Sequence, residues 1–150
     1  MIRRTFLILP TVGPRSERGL WRQGIVDWDD FLTAPRLPGF SAARKGRLDQ
    51  LLLDADEFLG RGETSYFHRL LPRGEHWRLY KDVCGDVAFL DIETDGLGPD
   101  AIVTVVGIHR QGGFISLVRG IDLTPSNLCE ALHGCRMLVT FNGSSFDLTY

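Results

Sequence analysis

Cysteine and long apolar runs are scarce in this chain of 150 residues. The three cysteines, Cys84, Cys129 and Cys135, form no CxxC pair, which argues against a disulfide framework and against a zinc site. The apolar runs fall well short of the ~20 residues that a membrane-spanning helix needs. The opening MIRRTFLILP has too short an apolar stretch for a signal peptide. We therefore expect a cytoplasmic protein in a reducing compartment, without a membrane partner.

The composition is that of a folded protein, with 43% hydrophobic and 24% charged residues. A net charge of −2 conceals an asymmetry along the chain. Residues 1–82 hold 14 Lys and Arg against 11 Asp and Glu, whereas residues 83–150 hold 3 against 8. A basic half joined to an acidic half suits a polyanion-binding module beside a site that collects cations. Unequal charge on solvated surfaces explains the same numbers equally well.

The positions of Pro and Gly, and a change in the hydrophobic period, divide the chain into three segments. Residues 1–34 contain a Pro/Gly turn and two short helices, the second of which begins at an Asp27 N-cap. Residues 35–82 form a helical connector whose apolar residues recur at helical spacing over about 42–59. Residues 83–150 have the period of strands, so the predicted fold class is α/β.

The third segment has the predicted order β-β-β-α-β. Gln111-Gly112-Gly113 indicates a hairpin turn between the second and third strands, and Thr124 is the expected cap of a helix with Pro125 at its first position and Gly134 past its end. The predicted strands are Val87–Glu93, Ile102–Arg110, Gly113–Arg119 and Arg136–Phe141.

Two acidic residues end the first of these strands, in VAFLDIETDG. Side chains alternate between the faces of a strand, so Asp91 and Glu93 point the same way while Leu90 and Ile92 face the opposite side. Two such carboxylates can bind a divalent cation, and paired cations of this kind promote phosphodiester hydrolysis. A solvated strand end accounts for an isolated D-x-E equally simply.

A second group of polar residues follows the fourth strand, in TFNGSSFDL. Asn142 ends the strand and Gly143 permits a sharp turn. Asp147 then falls in the first turn of a helix beginning at Ser144 or Ser145, where unpaired N–H groups favour negative charge. Complementing the helix dipole is by itself a sufficient reason for an acid at that position.

Together the two motifs resemble those of a known family. VAFLDIETDG resembles the first motif (hhDxET-G), and TFNGSSFD the second (hNxxxFD), of the DEDD or DnaQ-like exonucleases of the ribonuclease H-like superfamily. The segment LPRGEHWRLY and the N-terminal TFLILPTVGPRSERGLWRQGIVDWDDFL resemble the YprB-type ribonuclease H-like proteins. The resemblance therefore covers nearly the whole chain.

This resemblance implies a hydrolase, a metal-dependent 3′→5′ exonuclease that acts on the phosphodiester bonds of DNA or RNA. Asp91, Glu93 and Asp147 are then catalytic residues and ligands of a two-metal Mg²⁺ or Mn²⁺ site. Thr94 and Asn142 are the implied substrate-binding residues.

The implied fold is a partial ribonuclease H-like mixed sheet, with three antiparallel strands and a fourth parallel to the first. The family's third motif, a Tyr or His followed by a final Asp, lies downstream of the second motif and beyond Tyr150. The resemblance therefore implies a truncated chain that lacks the fourth carboxylate and is inactive or weakly active. An unpaired sheet edge at residues 136–141 would favour self-association.

Near the N-terminus, LPTVGP resembles the turn of a helix–hairpin–helix, which offers backbone N–H groups to a nucleic-acid phosphate. Thr11 replaces a hairpin glycine, so a positive φ there would be strained. The candidate nucleic-acid-binding residues are Gly13, Arg15, Arg18 and Arg22. A solubilising face is the alternative explanation of the arginines.

Two other functions remain open. One is a nucleic-acid-binding module attached to an inactive nuclease half. The other is a haloacid-dehalogenase-type phosphatase, although Glu93 and Asp95 depart from its DxDx(T/V) pattern. A calcium-binding EF-hand loop is excluded because Ile102 stands where the bidentate Glu is required.

Overall fold

The computed structural model describes residues 1–96, 100–141 and 143. The chain forms two compact units, Met1–Asp82 and Val83–Tyr150. In the described part, no helix combines the length and the apolar character needed to cross a membrane.

The first unit is helical. Its α-helices are α1 (Pro14–Arg22), α2 (Trp28–Thr33), α3 (Ala42–Gly60) and α4 (Thr64–Leu70), and α5 (Tyr80–Val83) spans the border between the units. Short 3-10 helices cover Ile2–Arg4 and Arg73–Leu79, and a third, Cys84–Asp86, precedes the sheet of the second unit.

Side-chain caps explain where two of these helices begin. The Asp27 Oδ1 accepts a hydrogen bond from the Asp30 N–H at 3.0 Å, and the Asp30 Oδ2 accepts one from the Val26 N–H at 2.9 Å. The first bond satisfies a donor that the first helical turn leaves unpaired, and the second ties the residue before the cap to the helix. The Ser41 Oγ caps α3 by accepting a hydrogen bond from the Arg44 N–H at 3.2 Å. The predicted Asp27 cap is confirmed, as is the long amphipathic helix predicted over 42–59.

An aromatic core joins the two segments that the sequence separates at residue 34. The Phe6 and Phe31 rings lie 5.5 Å apart, and Phe31 meets Phe40 edge-on at 5.9 Å. The Trp28 and Phe67 rings stack at 6.2 Å. Because the predicted connector supplies Phe40 and Phe67, both segments share one core and form a single unit.

The second unit contains one mixed sheet in the order β3-β2-β1-β4. β1 pairs antiparallel with β2 and parallel with β4, and β2 pairs antiparallel with β3. This is the predicted pairing, and the α/β architecture is consistent with a partial ribonuclease H-like fold. The strands are β1 (Val87–Thr94), β2 (Val103–Arg110), β3 (Gly113–Val118) and β4 (Met137–Thr140).

Local sequence determines the connections of the sheet. Gln111 and Gly112, with φ of 50° and 77°, form the two-residue hairpin turn between β2 and β3. The Thr124 Oγ1 accepts from the Asn127 N–H at 3.2 Å and caps α6 (Pro125–Ala131).

The end of α6 differs from the prediction, because the helix stops three residues before Gly134. Its last turn tightens, with the His133 N–H bonded to the Glu130 carbonyl at 3.1 Å. Gly134, with φ of 71°, belongs instead to the turn that leads to β4.

One face of the sheet forms the core of the second unit. Along β1, Ala88, Leu90 and Ile92 are buried and alternate with exposed residues. α6 packs over this face and shields its apolar side chains from water. Fully burying one such side chain stabilises the folded state by about 1.5–3 kcal/mol. The buried cluster also includes Val106, Ile108 and Leu117, with Leu123, Leu128, Ala131 and Leu132 packed against it.

Candidate functional site

The opposite face of β1 carries Asp91 and Glu93, here called the acidic pair. Both residues are exposed, whereas Leu90 and Ile92 are buried on the other face. β1 lies between β2 and β4 in the sheet, and its pairing with β2 extends past the acidic pair to Thr94, whereas its pairing with β4 ends at Leu90. The predicted common orientation of the two carboxylates is confirmed.

A β-bulge lies beside the acidic pair. Glu93 stands opposite Val105, but Thr94 stands opposite Val103, so Thr104 is the extra residue on β2. The Thr104 Oγ1 donates to the Glu93 carbonyl at 3.0 Å. Bulges bend a strand and re-aim side chains next to functional sites, and this one marks the end of regular pairing at Glu93.

Thr94 and Asp95 form local bonds after the bulge. The Thr94 hydroxyl donates to the Gly96 carbonyl at 2.6 Å, so its proton is used within the turn. The Asp95 Oδ1 accepts from the Ile102 N–H at 2.7 Å and thereby closes the loop onto β2. Asp95 is accordingly a loop-closing residue, and the acidic pair lies on the strand before it.

A groove of about 740 Å³ runs over the exposed sheet face beside the acidic pair. Gly107 stands directly opposite Asp91, and a Cβ built there would lie 3.3 Å from Cζ of Phe114. The Phe114 ring therefore covers the space that a larger residue would fill. Phe89 and His109 continue the groove with ring centroids 6.1 Å apart.

The charge of the acidic pair is not compensated by the cations of its own unit. Within the described residues, neither carboxylate forms a hydrogen bond or an ion pair. The guanidinium groups of Arg110 and Arg119 donate to backbone carbonyls, and that of Arg136 pairs with Asp86 at 3.6 Å. Two adjacent carboxylates without a cation attract a divalent ion.

The donor chemistry of the acidic pair fits Mg²⁺ or Mn²⁺. Both ions prefer hard oxygen ligands, and Mg²⁺ is commonly held by one or two carboxylates with waters and substrate phosphates. No cluster of three or more ligand residues occurs in the part of the chain that the structure describes. The predicted residues Asn142 and Asp147 lie outside the described residues.

Gly143 is described, and its surroundings explain the residue type. A Cβ at this position would overlap the Thr140 side chain at the end of β4. Gly143 is buried, so no relief toward solvent is available. The glycine expected for a sharp turn is therefore required by close approach.

The N-terminal candidate residues lie on and beside α1. Gly13 is the N-cap residue, and Arg15, Arg18 and Arg22 are exposed along the helix. Thr11 has φ of 65°, the strained conformation expected where it replaces a glycine. Ahead of this turn, the described residues contain only the three-residue 3-10 helix Ile2–Arg4, where the helix–hairpin–helix resemblance implies an α-helix.

Two side-chain pairs in the first unit are not predicted by the sequence. The His68 and His76 rings lie 4.5 Å apart, although their spacing resembles no ligand motif. Glu17 and Arg78, separated by 61 residues, form an ion pair at 3.4 Å. No local signal predicts either grouping, because both depend on how α1, α4 and the 3-10 helix Arg73–Leu79 pack.

A family model described as RNase_H superfamily matches residues 88–150. No curated protein and no solved structure matches the chain. The matched span begins in β1 and contains the acidic pair. Residues 88–150 are thus similar to the RNase H superfamily, which supports a nuclease-like function on nucleic acid.

Proposed function

We propose that this chain is a metal-dependent nuclease of the DEDD, YprB-like type, which removes nucleotides from the 3′ end of DNA or RNA. The observation that carries the proposal is the acidic pair. Two carboxylates without a cationic partner among the described residues stand on one sheet face, within the span similar to the RNase H superfamily. The 3′→5′ direction rests on the resemblance of the two motifs.

In this proposal, Asp91 and Glu93 hold the catalytic cations, with Asp147 as the third ligand. A bound Mg²⁺ or Mn²⁺ would supply a water of lowered pKa and would stabilise charge on the phosphodiester. The chain's own contribution is placement, because β1 is hydrogen-bonded to β2 along the acidic pair and both carboxylates line the groove. Thr94 and Asn142 are the proposed contacts to the substrate end.

Calorimetric titration with Mn²⁺ tests the site. The unmodified chain is expected to bind Mn²⁺, and Asp91→Asn is expected to weaken binding at least tenfold, because it removes one charge from the pair. Asp95→Asn is the matched control, since the amide keeps the oxygen that accepts from the Ile102 N–H. Equal Mn²⁺ affinity in Asp91→Asn and the unmodified chain would contradict the site.

A 5′-labelled single-stranded oligonucleotide tests the reaction with the same three proteins. Shortening from the 3′ end that needs Mn²⁺ and is lost in Asp91→Asn is the expected result. Mn²⁺ binding without any cleavage would favour the alternative function, a nucleic-acid-binding module attached to an inactive nuclease half. Turnover of a phosphomonoester with the oligonucleotide left intact would favour a phosphatase.

A further inference from the structure

Trp77 is a large aromatic residue with 55% of its surface exposed. Tryptophan is highly buried on average, so an exposed ring beside other aromatic and cationic groups indicates an interaction site. Trp77 borders a cavity of about 250 Å³ together with Met1, Arg4, Trp21 and Arg78, here called the tryptophan cleft. Its size suits one flat ring system, since sites for drug-sized ligands begin at about 300 Å³.

Hydrogen bonds and cation–π contacts fix the walls of the tryptophan cleft. The Trp21 Nε1–H donates to the Arg4 carbonyl at 3.2 Å, which sets the orientation of the indole. The Arg78 guanidinium carbon lies 5.1 Å from the Trp77 ring centre and 5.9 Å from that of Trp21. Both distances are within the range of a cation–π interaction.

Two carboxylates fix the position of the Arg78 side chain. Its Nε donates to Glu75 Oε2 at 2.5 Å, and its Nη2 donates to Glu17 Oε2 at 3.4 Å. Glu17 is only 2% exposed and also accepts from the Thr5 hydroxyl and the Phe6 N–H. The guanidinium is therefore positioned before any ligand arrives, which reduces the ordering cost of binding.

Positive charge lies next to this cleft. Successive helical residues are offset by 100°, so Arg15, Arg18 and Arg22 fall within an arc of about 60° on α1, the arginine stripe. All three are exposed, and Trp21 occupies the flank of the same helix. Within the described residues, neither the arginine stripe nor Arg4 forms an ion pair.

We propose that the tryptophan cleft binds single-stranded nucleic acid, with a base stacked on the exposed ring and the adjoining phosphates on the arginine stripe. Aromatic rings that accept a base face, beside cations that follow the backbone, are the usual means of holding a single strand. A duplex keeps its base faces stacked inside and cannot use the cleft in this way. The site lies in the first unit and requires neither the acidic pair nor a metal ion.

Fluorescence anisotropy of a labelled oligothymidylate tests this proposal on the full chain, in EDTA at low salt. Trp77→Ala is expected to weaken binding roughly tenfold through loss of stacking, whereas Trp77→Phe restores much of it. Leu53→Ala is the matched control, because it truncates another apolar side chain with 51% exposure. Arg18→Ala is expected to reduce the slope of log affinity against log salt concentration by about one, because one phosphate contact is lost. Arg61→Ala is the control and is expected to leave this slope unchanged, since Arg61 pairs with Glu57.

Three results would overturn the proposal. They are equal affinity of Trp77→Ala and Leu53→Ala, tighter binding of the matching duplex, and absence of binding at low salt. The last result would leave an exposed cleft that serves a protein partner instead. The anisotropy is measured in EDTA and the calorimetric Mn²⁺ titration is made without oligonucleotide, so failure of the metal site and failure of the tryptophan cleft are distinguishable.

Discussion

Glu17 is a carboxylate whose surroundings are almost entirely protein. It accepts from the Thr5 Oγ at 2.6 Å and from the Phe6 N–H at 2.8 Å, and Arg78 supplies the countercharge. An acid in the first turn of a helix predicts only an interaction with the helix dipole. The sequence does not reveal its burial, because the partners come from a preceding turn and from a residue near the end of the unit.

Replacing Glu17 with Ala is expected to lower the free energy of unfolding by about 3 kcal/mol, since the buried Thr5 hydroxyl and Phe6 N–H lose their acceptor and the partly buried Arg78 loses one of its two carboxylate partners. Urea denaturation monitored by tryptophan fluorescence measures this change. Glu57→Ala is the control, because that carboxylate is exposed in its pair with Arg61 and a change of no more than about 0.5 kcal/mol is expected. Equal losses in the two variants would show that the Glu17 network adds nothing beyond a surface ion pair.

The backbone strain at Thr11 can be predicted from the sequence. A β-branched residue where the turn needs a positive φ is disfavoured, and the observed φ of 65° confirms that expectation. The Arg44 Nη2 donates to the Thr11 Oγ1 at 2.8 Å. This partner, 33 residues away in the chain, could not be inferred from the turn alone.

Among the elements, those with a local signal were predictable. The long helix over 42–59, the Gln111-Gly112 hairpin and the caps at Asp27 and Thr124 each follow from spacing or turn chemistry within a few residues. The end of α6 was not predictable, since the helix stops at Ala131, three residues before the glycine that usually marks a C-terminus.

The Asp27 cap gives a prediction for a whole element. Asp27→Ala removes the acceptor for the Asp30 N–H and is expected to destabilise α2, with a cost of about 1 kcal/mol in the free energy of unfolding. Asp29→Ala is the control, because Asp29 lies in the same turn and its side chain does not cap. Thermal unfolding followed by circular dichroism compares the two. A lower melting temperature for Asp29→Ala than for Asp27→Ala would contradict the capping role.

At the scale of the molecule, the sequence predicts the acidic pair more fully than the tryptophan cleft. A strand with period two places Asp91 and Glu93 on one face without any knowledge of distant contacts. The tryptophan cleft joins Arg4, Trp21 and Trp77, which are brought together only by the packing of the first unit. Asp147 lies outside the described residues, so its predicted part in the metal site stays a prediction.

Among the described residues, the outer strands of the sheet are β3 and β4. In the described part of the chain, β4 pairs with β1 alone and β3 pairs with β2 alone. An unprotected edge strand is a template for pairing with another chain, and charged residues are the common protection. β4 has the sequence MLVT, without a charged residue, and Leu138 is 37% exposed.

We therefore expect self-association through β4 that increases with protein concentration. Leu138→Lys is expected to reduce it, because a lysine on an edge strand opposes edge-to-edge pairing. Ile121→Lys is the control, since Ile121 is 81% exposed in the turn after β3 and adds the same charge away from β4. Sedimentation velocity over a range of concentrations measures the association, and thermal unfolding verifies that both variants remain folded. A concentration-independent monomer, or equal suppression by both lysines, would exclude β4 as the associating edge.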